Sequence, residues 1–336
     1  MSQPKISIVT IVYNDVAHIK ATMDSVINQS YPYIEYILID GASSDGTREA
    51  IEFALREIAL DSSLIVGEYP PESSVSTTDC SKEELKNLAD LNSAILSKPV
   101  SFSIKYDIPS FYLQGTHKDN PYFTFKFLSQ KDGGIYDAMN KGIDLASGQW
   151  CNFMNCGDRF YNSSTIYEFF TKFFMMYGGG ASSSFTAFVI YGDTQIIYDS
   201  THSKILYASS APHTYHHRFI HQSAFISKDL MKAYKYDTSF QIAGDTDFFA
   251  KAYNNKANFF YVPFVVSSFN PQGVSSSLSW QMFKEDCQIG YRYNRLYPVW
   301  YALRYMFYVV PRVCVRNVIP QKWRNKARVI FGKKHT

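Results

Sequence analysis

The chain has 336 residues, of which 46% are hydrophobic, enough for one or two globular domains with a sizeable core. This composition excludes a disordered protein and a small disulfide-stapled scaffold. The 33 Lys and Arg against 30 Asp and Glu give a formal net charge of +3, but the charges are unevenly distributed. Residues 287–336 hold eleven Lys or Arg and no acid, so residues 1–286 carry 22 minus 30, or −8. We therefore expect the basic C-terminal segment to meet an anionic partner.

Cysteine usage and apolar runs bear on the cell compartment. The five cysteines are scattered and form no C-x-x-C pair, which is typical of a reduced cytoplasmic protein without a cysteine-built zinc site. The first residues, MSQPKISIVTIVYN, lack the pattern of a secretory signal, and no stretch reaches ~18 uninterrupted apolar residues. We expect a cytoplasmic protein without a transmembrane span.

The first third of the chain alternates strand and helix patterns. KISIVTIV at 5–12 predicts a buried strand, and apolar residues with helical spacing follow at 19–27. YILID at 36–40 predicts a second strand, followed by a helix that begins near residue 46. Strand, helix, strand and helix at this spacing indicate an α/β domain with parallel strands.

The pattern is lost between about 69 and 124, which we interpret as an insertion. Regular elements are predicted again beyond it. They are the strand TFKFL at 124–128, a helix over 135–146, the strands WCNFMN at 150–155 and AFVIYG at 187–192, a helix from 244, and the strand FFYVPFVV at 259–266.

Polar residues at the carboxyl ends of these strands are the candidates for ligand binding, because open α/β sheets bind ligands at that edge. Neither G-x-G-x-x-G nor G-x-x-x-x-G-K-[ST] follows any predicted strand. A nicotinamide-dependent Rossmann enzyme and a P-loop NTPase are therefore disfavoured.

Seven blocks in the chain carry a resemblance to a known family. They are SIVTIVYN, IEYILIDGASSDGT, DGGIYDAMNKGIDLASG, FMNCGD, HQSAF, AGDTDFF and FNPQGVSS. In this order they resemble family 2 of the inverting glycosyltransferases with the GT-A fold, and more narrowly the bacterial branch that builds O-antigen, capsule and colanic-acid-type polysaccharides. The resemblance covers about 1–68 and 125–277.

The resemblance implies a three-layer α/β sandwich with a mixed, mostly parallel sheet over 1–277. A helical, basic and aromatic extension over 278–336 follows this catalytic domain. It also implies a nucleotide-sugar donor, usually a UDP-sugar. The residues implied in donor binding are Thr10, Tyr13, Asp40, Asp132, Asn140 and Asn155. A carboxylate such as Asp40 is a strong acceptor for a uracil N–H, although a turn cap is the alternative.

The block FMNCGD occupies the position of the family's acidic metal motif. Asn155 and Gly157 replace two of the usual acids, which leaves Asp158 as the only carboxylate. The resemblance implies that Asp158 holds a divalent cation, Mg²⁺ or Mn²⁺. Such a hard cation, held also by phosphate oxygens, would neutralise the diphosphate leaving group.

The block AGDTDFF aligns with the family's Glu-Asp motif, whose Asp is the general base. Asp245 takes that place, and Gly244 replaces the Glu. An inverting transfer needs one carboxylate that takes the proton of the acceptor hydroxyl. Asp247 is expected to bind the acceptor or to cap its helix.

A histidine cluster precedes this block, at 213, 216, 217 and 221. Zinc is the alternative that such a cluster raises, but no nearby acid completes a site, and the family has a His-Gln pair at this place. We expect His221 and Gln222 to line the acceptor or pyrophosphate side. His216 and His217 are expected to be surface or loop residues.

The basic extension interleaves Lys and Arg with Trp, Tyr and Phe. Aromatic residues prefer the membrane interface, and each cation near an anionic leaflet contributes ~1 kcal/mol. We expect the segment 287–336 to lie on an anionic membrane surface rather than to cross the bilayer. A helix packed on the catalytic domain is the first alternative, and nucleic acid is disfavoured.

The predicted function is the transfer of a hexose or N-acetylhexosamine from a nucleotide sugar, with inversion, to a glycan on undecaprenyl diphosphate. The enzyme would act at the inner face of the cell membrane. The alternative is a catalytically inactive relative that binds nucleotide sugars or acts as a scaffold, which the replaced acids at 155, 157 and 244 suggest.

Overall fold

The computed structural model describes residues 3–69, 110–178, 188–269, 279–318 and 321–331. Its strands are β1 Ile6–Val12, β2 Ile34–Asp40, β3 Ile65–Gly67, β4 Ser110–His117, β5 Asn120–Gln130, β6 Trp150–Phe153, β7 Arg159–Phe160, β8 Phe188–Ile197, β9 Ser203–Leu206, β10 Ala224–Ser227 and β11 Asn258–Phe269. Its α-helices are α1 Val16–Ile27, α2 Thr47–Ile58, α3 Ile135–Leu145, α4 Thr165–Tyr177, α5 Lys228–Tyr234, α6 Gly244–Asn254, α7 Trp280–Tyr293, α8 Tyr297–Arg304, α9 Val310–Val318 and α10 Gln321–Phe331. A π-helical turn, Tyr305–Val309, joins α8 to α9.

The described strands form one mixed sheet in the order β3-β4-β5-β2-β1-β6-β10-β8-β11-β7, and β9 pairs with β8. The central strands β5, β2, β1 and β6 run parallel, as the alternation of strand and helix predicts. Antiparallel pairs flank them on both sides. The carboxyl ends of the parallel strands therefore meet at one edge of the sheet, where ligands bind in open α/β folds.

The sheet is covered on both faces. Alternate residues of β1 point to opposite faces: Ile6 and Ile8 pack in the core beneath α1, α2 and α4, and Val9 and Ile11 pack in the core beneath α3, α5 and α6. β1 is buried on both faces, which explains its unbroken β-branched run. The result is the three-layer α/β sandwich that the sequence predicts.

The stretch predicted to be an insertion is in part regular structure. β4 and the start of β5 lie between 110 and 124 and pair in an antiparallel hairpin that extends the sheet. Buried and more exposed positions alternate along β4 and the first half of β5, as in strands that cover the core with one face. Residues 70–109 lie outside the described residues, as does most of the block FNPQGVSS.

The extension packs on the sandwich at two places. α7 lies against α6, and the Tyr301 hydroxyl of α8 donates to Asp286 of α7. Further along, the Asn325 side-chain amide of α10 donates to Asp199 beside the β8–β9 hairpin at 2.7 Å. Within the described residues, none of the helices combines the length and the apolar content that a bilayer crossing requires.

Candidate active site

An open cavity of about 480 Å³ lies at the carboxyl edge of the parallel strands. Its wall is built by the turn after β1, the turn after β6, the start of α3, the segment 217–222 before β10 and the residues that lead into α6. Five of the predicted site residues line it, namely Asn155, Asp158, His221, Gln222 and Asp245. The fold thus brings together three sequence blocks that are separated by up to 90 residues.

The turn after β6 presents two oxygen donors to the cavity. The backbone N–H of Asp158 donates to the carbonyl of Asn155 at 3.0 Å, which closes the turn. Gly157 has φ +94°, a left-handed conformation that favours glycine over the acid expected there. The Asp158 carboxylate is 6% exposed and accepts a hydrogen bond from the Gln222 amide at 2.6 Å. The Oδ1 atom of Asn155 is buried and finds no hydrogen-bond partner among the described residues.

These oxygen donors fit a hard divalent cation. Carboxylate and amide oxygens are the ligands that Mg²⁺ and Mn²⁺ accept, and the buried Asn155 oxygen has no hydrogen-bond partner in the described part of the chain. In the described part of the chain, no group of three or more His, Cys, Asp or Glu is arranged to hold a metal ion. A cation here would need further oxygens from a bound diphosphate and from water.

Asp245 lies in the first turn of α6, where its side chain is about a quarter exposed to the cavity. Burial raises the pKa of Asp245 above its ordinary value, and nearby His221 opposes the rise. Gly244 fits only because it has no side chain, since a Cβ there would lie 2.7 Å from the Tyr136 ring. The Tyr136 ring thus occupies the space of the Glu that the resemblance implies.

His221 is held in the cavity wall by a buried contact. Its Nε2 atom lies 2.9 Å from the Tyr236 hydroxyl, and its ring is 6% exposed. Burial lowers the pKa of His221 to about 4, so the imidazole is neutral at neutral pH. A neutral ring can orient a ligand without adding charge.

His217 is a site residue that the sequence analysis missed. We expected a surface or loop position, and His217 does lie on a loop, but its side chain is only 13% exposed and lines the cavity. Burial lowers the pKa of His217 to about 4. The other two histidines of the cluster contact tyrosine hydroxyls: His213 lies next to Tyr191, and His216 lies next to Tyr297. The four histidines therefore make contacts at different places and do not converge on one site.

A second feature, the Tyr13 corner, adjoins the turn after β1 and consists of Tyr13, Gly41 and Asp132. The Tyr13 ring is 67% exposed. A Cβ at Gly41 would lie 2.8 Å from the Asp132 carboxylate and 3.2 Å from the Tyr13 ring, so the three residues are in close contact. Asp15, on the same turn as Tyr13, and His18, in the first turn of α1, line the cavity.

Thr10 and Asp40 are placed differently from the prediction. Both are fully buried. The Thr10 hydroxyl donates to the Met154 carbonyl at 2.7 Å, inside the sheet. The Asp40 carboxylate accepts hydrogen bonds from the Ser43 hydroxyl and the Ser129 hydroxyl, so it closes the turn after β2. The turn cap, which was the alternative for Asp40, is the role that the contacts support, and neither residue reaches a ligand surface.

Asn140 and Asp247 also have structural partners. The Asn140 amide exchanges two hydrogen bonds with the backbone of Tyr236, at 2.8 and 2.9 Å, and so ties α3 to the chain after α5. Asp247 is 4% exposed and pairs with Arg292 of α7. Both side chains are occupied by these structural contacts, and the donor-binding role of Asn140 and the acceptor role of Asp247 stay predictions.

Two solved structures resemble the whole fold. The chain matches a crystal structure of S. aureus TarS residues 1–349 with a TM-score of 0.50 and 12% identity, over 98% of this chain and 78% of that one. It matches the mannosyltransferase PcManGT from Pyrobaculum calidifontis, in complex with GDP-Man and Mn²⁺, with a TM-score of 0.50 and 13% identity, over 98% of this chain and 80% of that one. The chain has the GT-A fold.

Sequence comparison extends the likeness within the GT-A fold. Residues 7–63, which span β1 to α2, match the model of glycosyl transferase family 2. A PGL/p-HBAD biosynthesis glycosyltransferase from Mycobacterium bovis (strain BCG / Pasteur 1173P2) is 30% identical over 145 residues, 42% of this chain. The chain spans about half the length of the curated relatives it matches, 53% in this case. These likenesses support a family 2 glycosyltransferase.

Proposed function

We propose that the protein is an inverting glycosyltransferase that moves a hexose or N-acetylhexosamine from a nucleotide sugar to a lipid-linked glycan. The observation that carries the proposal is the single cavity that joins the Asp245 carboxylate to the oxygen donors Asp158 and Asn155. The first is placed to take a proton, and the other two are suited to a diphosphate with its cation. Family 2 similarity over 7–63 supports the same class.

The donor would bind across the cavity and the Tyr13 corner. The exposed Tyr13 ring offers a stacking face for a nucleobase. Asp132, which touches the same corner, offers an acceptor for base or ribose donors. Asp158 and Asn155 would hold the divalent cation, Mg²⁺ or Mn²⁺, which neutralises the charge that develops on the leaving diphosphate. UDP is the first candidate nucleotide, and GDP is the alternative to test.

Transfer would follow a single displacement. Asp245 takes the proton from the acceptor hydroxyl while that oxygen bonds to the anomeric carbon. The bond from that carbon to the diphosphate oxygen breaks on the opposite face, and the nucleoside diphosphate leaves, which inverts the centre. Burial raises the pKa of Asp245, which makes it a stronger base than an exposed carboxylate.

The membrane surface is the proposed location of the acceptor. Large apolar side chains are exposed on α8 and the π-helical turn, among them Trp300 at 56% and Phe307 at 72%. They stand beside Arg304 and Arg312 in a segment without acids. Apolar and basic residues together fit an anionic leaflet. We propose that this surface holds the enzyme at the inner leaflet, near an undecaprenyl diphosphate carrier, for cell-surface polysaccharide synthesis.

The proposal is tested by binding first and by turnover second. Nucleotide sugars are screened for thermal stabilisation with Mg²⁺ or Mn²⁺ present. A ligand at a concentration of 100 times its Kd adds about 2.7 kcal/mol to the free energy of unfolding. Release of nucleoside diphosphate with an acceptor then measures transfer. Asp245→Asn should bind donor normally and lose transfer, while the matched control Asp24→Asn, on an exposed ion pair, should match the original protein. Donor binding without turnover under every acceptor condition would favour the inactive relative instead.

A further inference from the structure

Glu285 of α7 binds the backbone that leads into α6. Its carboxylate accepts hydrogen bonds from the N–H groups of Gln241, Ile242 and Ala243, at 3.0, 3.0 and 2.8 Å. The Gln281 amide adds a fourth at 2.7 Å. The side chain is 3% exposed. We call this arrangement, Glu285 with the backbone of 241–243, the Glu285 clamp.

Such a contact is specific, because a buried carboxylate is tolerated only where hydrogen bonds replace its water. Burial by itself would raise the pKa of Glu285, but the backbone N–H groups and Gln281 outweigh it and hold the pKa below its ordinary value. The clamp therefore carries a full negative charge at neutral pH. Hydrogen bonds from three consecutive N–H groups restrain the backbone of 241–243.

The clamped residues adjoin the reacting group. Gln241 and Ile242 line the cavity themselves, and Ala243 is followed directly by Gly244 and Asp245. The Tyr136 hydroxyl donates to the Ile242 carbonyl at 2.6 Å, so the same backbone is held from the other side. The position of Asp245 is thus set in part by α7, a helix of the C-terminal extension.

We propose that Glu285 is a positioning residue for Asp245: by holding the backbone of 241–243 it keeps the base at the cavity, and the C-terminal extension is thereby part of the active site. The inference rests on the proposed function. Glu285 itself touches no reacting atom.

The negative charge of Glu285 gives the positioning role a measurable effect on the pKa of Asp245. Burial is the main cause of the raised pKa of Asp245, and the negative charge of Glu285 adds to it. The other titratable groups that face Asp245 from the surrounding elements are Tyr136 on α3, His217 and His221 before β10, Tyr236 after α5, and Asp286 on α7. Both histidines are neutral near pH 7, since burial lowers their pKa to about 4. Removing the Glu285 charge should therefore lower the pKa of Asp245.

The test compares Glu285→Gln with Glu285→Asp. Glu285→Gln removes the negative charge and places a side-chain NH₂ group opposite backbone N–H donors. We expect kcat to fall at least tenfold while the KM of the sugar donor stays within twofold. The acid limb of the pH–kcat profile should move to lower pH. Glu285→Asp keeps the charge on a shorter arm, so kcat should fall with the limb unmoved. The matched control is Glu35→Gln, a buried carboxylate outside the cavity lining, which should leave kcat per folded molecule and the limb unchanged.

A second readout separates this inference from the proposed function. The carboxyl ¹³C shift of Asp245, assigned with Asp245→Asn, reports the pKa of Asp245 whether or not the protein turns over. A lower pKa in Glu285→Gln than in the original protein supports the clamp even if no acceptor is found. An unchanged pKa, or a kcat loss that only follows the folded fraction, would overturn it.

Discussion

The Nε2 atom of His217 lies 3.8 Å from the Oδ2 atom of Asp245. The imidazole is neutral at pH 7, because burial lowers its pKa to about 4. Its ring packs against Phe219 and Phe249, with centroids 5.1 Å apart in both cases. His217 thus forms a packed part of the cavity wall beside Asp245.

Replacement of this wall should affect acceptor binding more than chemistry. We expect His217→Ala to raise the acceptor KM about fivefold, ~1 kcal/mol, with a smaller change in kcat. Steady-state kinetics with varied acceptor measures both constants, and His202→Ala, on the distant β8–β9 hairpin, is the control. A collapse of kcat as large as that of Asp245→Asn would mean instead that His217 shares the proton transfer.

Metal removal should stop transfer. Asp158 and Asn155 present oxygen donors to the cavity, and Gln222 orients the carboxylate. We expect EDTA to abolish turnover and added Mn²⁺ to restore it. Asp158→Asn should weaken Mn²⁺ binding at least tenfold in the presence of nucleoside diphosphate, as measured by electron paramagnetic resonance. Full activity in EDTA would contradict the role of Asp158 as a metal ligand.

The Arg292–Asp247 pair should stabilise the junction of α6 and α7. Burial raises the pKa of Asp247, and Arg292 opposes this rise. Arg292→Gln leaves a buried carboxylate without its cation, so the free energy of unfolding should fall by about 1–3 kcal/mol at pH 7. The loss should shrink at low pH, where Asp247 becomes protonated. The control Arg56→Gln, which breaks an i,i+4 pair within α2, should cost less than about 1 kcal/mol by urea denaturation.

Asp286 should make stability depend on pH near neutrality. Burial raises the pKa of Asp286 from its ordinary value of 3.8 to about 6, despite the hydrogen bond from Tyr301. A raised pKa means that the ionised form is disfavoured in the folded state, so stability is lost as the pH rises from about 4 through about 6. Asp286→Asn cannot ionise and should be more stable by up to about 3 kcal/mol at pH 7.5, with no difference at pH 4. Equal stability at both pH values would contradict this.

Membrane binding should depend on exposed apolar residues of the extension. We expect Phe307→Ser to weaken binding to anionic vesicles about tenfold, since ~1.5 kcal/mol of apolar burial in the interface is lost. Met175→Ser removes a side chain that is 80% exposed on α4 and should bind like the original protein. Sedimentation with phosphatidylglycerol vesicles at low and high salt measures the effect. If vesicle binding changes neither with salt nor with Phe307→Ser, the basic and apolar residues of the extension do not make the membrane contact.

Sequence patterns predicted the framework of the fold. The β-branched run of β1 and the helical spacing of α1 indicate the parallel core, and the family resemblance identified the blocks FMNCGD and AGDTDFF, whose Asp158 and Asp245 line the cavity. The metal and base roles of these two carboxylates stay predictions.

Side-chain occupancy was not predictable in the same way. Asp40 and Asn140 stand at plausible positions, but hydroxyls from Ser43 and Ser129 occupy the first, and the Tyr236 backbone occupies the second. These partners come from elements whose register the sequence does not reveal. The role of Glu285 was not predicted, because no sequence pattern shows that this one acid of the extension accepts hydrogen bonds from three backbone N–H groups.

The Glu285 clamp also implies an order in which the parts of the site can form during translation. Glu285 follows Asp245 by 40 residues in the chain, so a ribosome that adds about 5–20 residues per second delivers it about 2–8 s after the base. The strands that carry the donor site are synthesised before both. A nascent chain can therefore complete the strand-edge part of the cavity first and fix the backbone before Asp245 last, while the helices after α7 are still being synthesised.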